Sequence, residues 1–139
     1  LTHQKVAGGH LLFLPLCPST NRRMGVVRMG AFCRQILTKE ARDYIDVVGA
    51  ALRIWARSNK FKPMADYAKV EVWFILPRTS CDASNYGKVL FDAMEAGGIV
   101  TDDRYILPCV SGVWHDTKTP QAIVKLVSQG DLADLEGEG

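Results

Sequence analysis

The segment from Thr38 to about Ser58 constrains the fold of this chain most strongly, because its apolar residues recur at the spacing of one helical face. Thr38 suits the N-cap of a helix. Arg53 and Arg57 lie near the predicted end, where their positive charges interact favourably with the helix dipole. A helix with one apolar face needs a surface to bury it. We therefore expect this helix to pack on a β-sheet through Ala41, Tyr44, Ile45, Val48, Ala51, Leu52 and Trp55.

Strand patterns lie on both sides of this helix. The stretch from Tyr67 to Leu76 alternates between two faces until Pro77, which is typical of a strand. A second helix is expected from about Ser84 to Ala96, before Gly97 and Gly98. Further strands are predicted at Leu11–Leu14, within Val26–Ile36 as one or two, and at Tyr105–Pro108, Val110–Trp114 and Ala122–Val127. This order predicts an α+β fold, a single domain with a mixed β-sheet and two main helices.

Length and composition set the limits of the domain. A chain of 139 residues suits one domain, which we expect over residues 1–130, and the acidic segment 131–139 predicts a flexible tail. The four cysteines form no CxxC pair, which favours free thiols in a reducing compartment over a zinc knuckle or a disulfide framework. No apolar run reaches the roughly 20 residues of a membrane span. We therefore expect a cytoplasmic protein with no membrane partner.

Charge is distributed unevenly along the chain. The formal net charge is +2, yet the first 62 residues hold eleven Lys and Arg against three Asp and Glu. A concentration of bases matters more for nucleic-acid binding than the total charge does. The body of the protein therefore suits a polyanionic partner, although such an excess also occurs in proteins that bind no anion.

Residues Asp82 to Asp103 form the segment in which chemistry is most readily recognised. On a helix, Asn85, Lys88 and Asp92 stand at i, i+3 and i+7 and share one narrow face. Asp82 precedes this helix. The pair Asp102-Asp103 follows the glycine turn, so the three groups of side chains can converge.

Converging carboxylates are the ligands that a hard cation such as Mg²⁺ prefers, and a nearby lysine stabilises developing negative charge. Each residue also has a simpler interpretation. Asp82 can cap the helix, Asp92 can pair with Lys88 at i, i+4, and Asp102-Asp103 can form a turn. The joint spacing favours a site over three unrelated structural roles.

The same segment resembles the signature of the RusA family of Holliday junction resolvases. That signature is an Asp-x-Asp-Asn-x-x-Lys run, then Asp-Ala-Leu, a Gly and a pair of Asp, and Asp82 to Asp103 follow its spacing without a gap. The loop Cys-Pro-Ser-Thr-Asn-Arg, which ends at Arg22, is similar to the Pro-Ser-Asn-Asn-Arg loop of these enzymes. The resemblance extends over about Leu11 to Val127.

The resemblance implies a homodimeric endodeoxyribonuclease, encoded by a bacterium or phage, that binds four-way DNA junctions. It would nick two opposed strands symmetrically with Mg²⁺ or Mn²⁺, in DNA recombination and repair. The catalytic residues it implies are Asp82, Lys88 and Asp103, the metal ligands are Asp82, Asp103 and Asp102, and the supporting positions are Ser84, Asn85 and Asp92. Candidate DNA contacts, on loops or short strands where arginine suits phosphate, are Asn21, Arg22, Arg23, Arg28 and Arg78.

Two positions depart from the family signature. Ser84 stands where the signature has its second Asp, so one carboxylate is missing. Cys81 stands where a base often precedes the first Asp. The sequence therefore leaves two alternatives open: a metal-dependent junction nuclease, or a non-catalytic or weakly active relative that binds branched DNA.

Overall fold

A computed structural model describes residues 1–19, 24–30 and 32–127 of the chain. Its elements, in chain order, are β1 (Thr2–Val6), β2 (Gly9–Pro15), β3 (Met24–Met29), β4 (Phe32–Leu37), α1 (Lys39–Ser58), β5 (Ala68–Leu76), α2 (Lys88–Ala96), β6 (Ile106–His115) and β7 (Gln121–Val127). Short 3₁₀ helices at Ala83–Asn85 and Asp103–Tyr105 flank α2 on either side. The predicted α+β class with two main helices is confirmed. The predicted tail, residues 131–139, lies outside the described residues.

Five strands form one mixed sheet in the order β1-β2-β7-β5-β6. Strands β5 and β6 are parallel, and the other neighbouring pairs are antiparallel. Strands β3 and β4 form a separate antiparallel pair. Because β5 and β6 run in the same direction, the chain between them must cross from one end of the sheet to the other, and α2 is that crossover.

The core lies between one face of the sheet and the two helices. Along β5 every second residue is buried, including Val70, Val72 and Phe74, as the alternating pattern predicts. The predicted face of α1 is buried through residues such as Val48, Leu52 and Trp55, with Thr38 as N-cap accepting a hydrogen bond from the Ala41 N–H at 3.2 Å. The sequence reasoning on α1 is confirmed.

The two helices meet at a pair of glycines. A Cβ placed on Gly97 would lie 2.7 Å from the Leu52 Cβ and 2.9 Å from the Gly49 carbonyl oxygen. One placed on Gly49 would lie 3.3 Å from the Ala96 Cβ. The absence of side chains at these two positions allows the end of α2 to approach α1 closely.

Three sequence expectations are corrected. Strand β1 was not predicted, because its residues are mostly polar and β2 is its one neighbour among the described strands. Residues 106–115 form one strand instead of two, since Cys109 at the predicted break pairs in register with Glu71 of β5. Helix α2 begins at Lys88 and not at Ser84, because a separate 3₁₀ turn occupies Ala83–Asn85 and Gly87 is the N-cap. Among the described helices, none is long and apolar enough to span a membrane.

Candidate metal centre and nucleic-acid interface

Helix α2 presents a polar stripe made of Lys88, Asp92 and Glu95. These residues stand at i, i+4 and i+7, while Val89, Leu90, Ala93 and Met94 are buried and fix the orientation of the helix. The Lys88 Nζ lies 3.4 Å from an Asp92 carboxylate oxygen. The stripe is therefore held towards solvent by packing on its opposite side.

The chain after α2 brings Asp102 and Asp103 back beside this stripe. Gly98 takes a positive φ of 73°, which reverses the chain. Ile99 and Val100 are then buried, and the Thr101 N–H donates to the Met64 carbonyl oxygen at 3.0 Å. The two buried residues and this hydrogen bond fix the position of Asp102 and Asp103 relative to α2.

Three carboxylates converge at the end of the stripe. Glu95, Asp102 and Asp103 each offer a carboxylate oxygen, and these atoms all lie within 4.8 Å of one another. The Asp103 N–H donates to Glu95 Oε1 at 3.2 Å, which ties the return segment to the helix. We call Glu95, Asp102 and Asp103 the acidic cluster. Its oxygen donors and partial exposure fit a hard divalent cation that keeps some of its waters.

Lys88 connects the stripe to the acidic cluster by donating a hydrogen bond to Asp103 Oδ2. This bond, more than the neighbouring Asp92, raises the pKa of Lys88, so the ammonium is charged at neutral pH. Asp102 has a second role, because its Oδ1 accepts from the Arg104 N–H at 2.9 Å and caps the 3₁₀ helix that follows. Asp102 thus caps this 3₁₀ helix and also belongs to the acidic cluster.

The acidic cluster and its direct partners carry an excess of negative charge. Among the described residues of this group, four carboxylates stand against two cations: Asp92, Glu95, Asp102 and Asp103 against Lys88 and Arg104. A divalent cation is the group that such a donor set accommodates most readily.

Asp82 is not a member of the acidic cluster. Its Oδ1 accepts hydrogen bonds from the Ser84 N–H at 3.1 Å and the Ser84 hydroxyl at 2.9 Å, as an N-cap of the 3₁₀ turn. The expected stripe of Asn85, Lys88 and Asp92 is also corrected. Asn85 belongs to the 3₁₀ turn, so it does not share the helical face of the other two.

Glu95 is the residue that sequence reasoning missed. Its spacing from Lys88 and Asp92 was a usable signal, since it continues the polar side of an otherwise apolar helix. The predicted stripe ended at Asp92, although Glu95 follows it by three residues on the same helical face.

The sequence model of the family described as endodeoxyribonuclease RusA matches residues 15–127. This range spans most of the chain and includes both helices and every member of the acidic cluster. The chain belongs to the RusA endodeoxyribonuclease family. A search among curated proteins gives no match to the chain. Strand β1 and nearly all of β2 precede the range that matches the family.

Within this family domain, Arg78 and Asn85 line a cleft of about 820 Å³ between α1 and the segment after β5. Tyr44 and Tyr86 contribute to its walls, and the Tyr44 hydroxyl donates to the Pro15 carbonyl oxygen at 2.7 Å. Arg78 is exposed, as a DNA contact requires. Tyr86 in the wall of this cleft stands two residues before Lys88 along the chain.

Two cysteines lie beside this cleft in different environments. A hydrogen bond from the Tyr86 hydroxyl, more than the nearby Arg78, lowers the pKa of the half-buried Cys81 thiol. Burial raises the pKa of Cys17 to about 12. Both are free thiols, as the sequence predicts for the described cysteines.

The remaining predicted DNA contacts have no described side chains. Asn21, Arg22 and Arg23 lie outside the described residues. Arg28 lies in β3 opposite Cys33, and only its backbone is described. Their roles stay predictions.

Proposed function

We propose that this chain is a junction-selective endonuclease, which binds four-way DNA and hydrolyses one phosphodiester bond in each of two opposed strands. The observation that carries the proposal is the family match over residues 15–127, which spans the acidic cluster and its lysine. The site lies on the surface, where a DNA backbone has access to it.

Asp102 and Asp103 are the ligands we propose for Mg²⁺ or Mn²⁺. When bound, the ion would polarise a phosphoryl oxygen and favour deprotonation of the attacking water. Lys88 holds Asp103 in place through its hydrogen bond. An ammonium has three N–H donors, and two point at Asp92 and Asp103, so the third suits a phosphate oxygen.

For Asp82 the family resemblance predicts a role in catalysis, with Ser84 and Asn85 as supporting residues. Asp82 is exposed and directly follows Cys81 at the edge of the cleft, where a DNA strand that reaches Lys88 would pass. We propose Arg78 as a phosphate contact on the same side, because its guanidinium is exposed and gives bidentate geometry to an anion.

A homodimer follows from the proposed reaction. One acidic cluster cuts one strand at a time, so paired nicks in two opposed strands need two copies of the site. We propose that two chains act together on one junction.

The experiment is a cleavage assay on a synthetic four-way junction labelled on each strand in turn. With Mg²⁺ we expect matched nicks in two opposed strands, and no cutting of a linear duplex with the same sequence. Asp103→Asn should bind the junction with similar affinity but cut it at least a hundredfold more slowly. Asp82→Asn, in parallel, tests whether Asp82 takes part in the reaction. Binding that does not distinguish the junction from the duplex would contradict the proposal.

A second candidate is a binding protein for branched DNA with little or no cutting. Ser84 favours it, because this residue lacks a carboxylate that the family signature contains. A junction that is shifted in a gel but uncut with both Mg²⁺ and Mn²⁺ would identify the binder.

A further inference from the structure

The turn that contains Ser84 offers one carboxylate where the family signature has two. The Ser84 hydroxyl and N–H both bond to Asp82 Oδ1, so the side chain that replaces the second Asp consumes acceptor capacity on the first. A serine hydroxyl is also a weaker ligand for Mg²⁺ than a carboxylate. This turn therefore offers a divalent cation one carboxylate fewer than the family signature does.

Glu95 provides a carboxylate from a different direction. It lies in the last turn of α2, exposed, and its Oε1 is within hydrogen-bond distance of the Asp103 backbone at 3.2 Å. Its carboxylate lies within 4.8 Å of those of Asp102 and Asp103. Leu90 and Met94 are buried and anchor α2, so the position of the backbone that carries Glu95 is fixed by the core.

The fit to a divalent cation follows from the donor chemistry. The three carboxylates, which come from α2 and the return segment, would supply oxygen ligands to a hard divalent cation, and their partial exposure would leave it accessible to water and to a phosphate. Lys88 bonds to Asp103 from the other side and offsets part of the negative charge without occupying a ligand position.

We propose that Glu95 supplies the third carboxylate of the metal site in this chain, in place of the one that Ser84 lacks. The inference rests on the proposed function only in taking a divalent metal to be used. The metal is then seated between α2 and the return segment, and Asp82 contributes little to its affinity.

Mn²⁺ binding to the purified full chain tests this without any DNA. The free aqueous Mn²⁺ signal in electron paramagnetic resonance measures the bound fraction directly. We expect one Mn²⁺ per chain, weakened at least tenfold by Glu95→Gln and less than threefold by Asp82→Asn. Glu71→Gln, a half-buried acid that pairs with Lys69 on β5, is the matched control and should leave the affinity unchanged.

A rescue variant sharpens the result. Ser84→Asp in the Glu95→Gln background rebuilds the carboxylate of the family signature and should recover part of the lost affinity. Circular dichroism and thermal unfolding establish that each variant is folded. Unchanged Mn²⁺ affinity in Glu95→Gln, loss in Asp82→Asn alone, or no Mn²⁺ binding by the wild type would each overturn the inference.

The junction assay separates this inference from the proposed function. Glu95-dependent Mn²⁺ binding without junction cutting would uphold the metal site and contradict the nuclease. Junction cutting, together with an Mn²⁺ affinity that Glu95→Gln leaves unchanged, would support the nuclease and contradict the proposed role of Glu95.

Discussion

Substitution of Gly97 by alanine tests how closely α1 and α2 must approach. The new Cβ would lie 2.7 Å from the Leu52 Cβ and 2.9 Å from the Gly49 carbonyl oxygen. Carbon atoms in contact prefer about 3.5–4.0 Å, so the end of α2 must move outwards by about 1 Å. Leu52 is fully buried and has no open side into which it can withdraw.

Overpacking of this kind in a dense core costs about 1–3 kcal/mol of unfolding free energy. For a domain of this size each kcal/mol lowers Tm by about 4 °C. We therefore expect Gly97→Ala to lower Tm by about 4–12 °C. The φ of Gly97 is −80°, so backbone strain contributes nothing and the effect is steric.

Gly98 is the matched control, because it is the next residue and a Cβ there would meet nothing within 4 Å. Its φ of 73° makes alanine cost roughly 1 kcal/mol through the backbone alone. Asparagine tolerates this conformation, so Gly98→Asn should recover much of that loss, whereas Gly97→Asn should be at least as damaging as Gly97→Ala. Urea and thermal unfolding of the four variants measure this. A stable Gly97→Ala, or rescue by asparagine at both positions, would refute the steric account.

Three further outcomes are expected. The pKa of Lys88 is raised in the folded protein, so its stabilising contribution is complete below the ordinary lysine value of about 10.4 and disappears as pH rises through the folded-state value. Lys88→Met should therefore lower the urea midpoint at pH 8 and do so less at pH 11.5; an equal loss at both would contradict this. Iodoacetamide should label Cys81, whose pKa is lowered by Tyr86, faster than the buried Cys17, and peptide mass mapping that finds equal rates would disprove it. Thr38→Ala should cost about 1 kcal/mol by removing the cap of α1, while Thr38→Ser should cost far less in the same unfolding assay.

Periodicity predicted the elements that bury a whole face. The apolar stripe of α1 and the alternation of β5 each describe a surface that packs on the core, and both were identified correctly from sequence. Strand β1 gave no such signal, because its side chains are mostly polar and its pairing with β2 depends on backbone hydrogen bonds. Edge strands of this kind are specified by their neighbour more than by their own residues.

The acidic cluster lies within the predicted segment Asp82 to Asp103, but its membership could not be read from spacing alone. Asn85 was placed on the polar stripe because α2 was expected to begin at Ser84, and the boundaries of helices are poorly determined by periodicity. Gly87 separates the 3₁₀ turn from the helix, and this four-residue shift in the start of α2 removes Asn85 from the face that Lys88 and Asp92 share. A local boundary thus decided which side chains form the polar stripe.

The parallel pairing of β5 and β6 has a consequence for how the site comes into being. Lys88, Glu95, Asp102 and Asp103 all lie on the single connection between these strands, at residues 77–105. Parallel strands cannot be joined by a tight hairpin. The whole connection must therefore close into a loop before β6 can pair with β5. Glu95 and Asp103 are only eight residues apart, but the far end of the connection that carries them is fixed only when β6 pairs with β5. Cation-binding competence would therefore arise late during folding, and it would be among the first properties lost if β6 detached from the sheet.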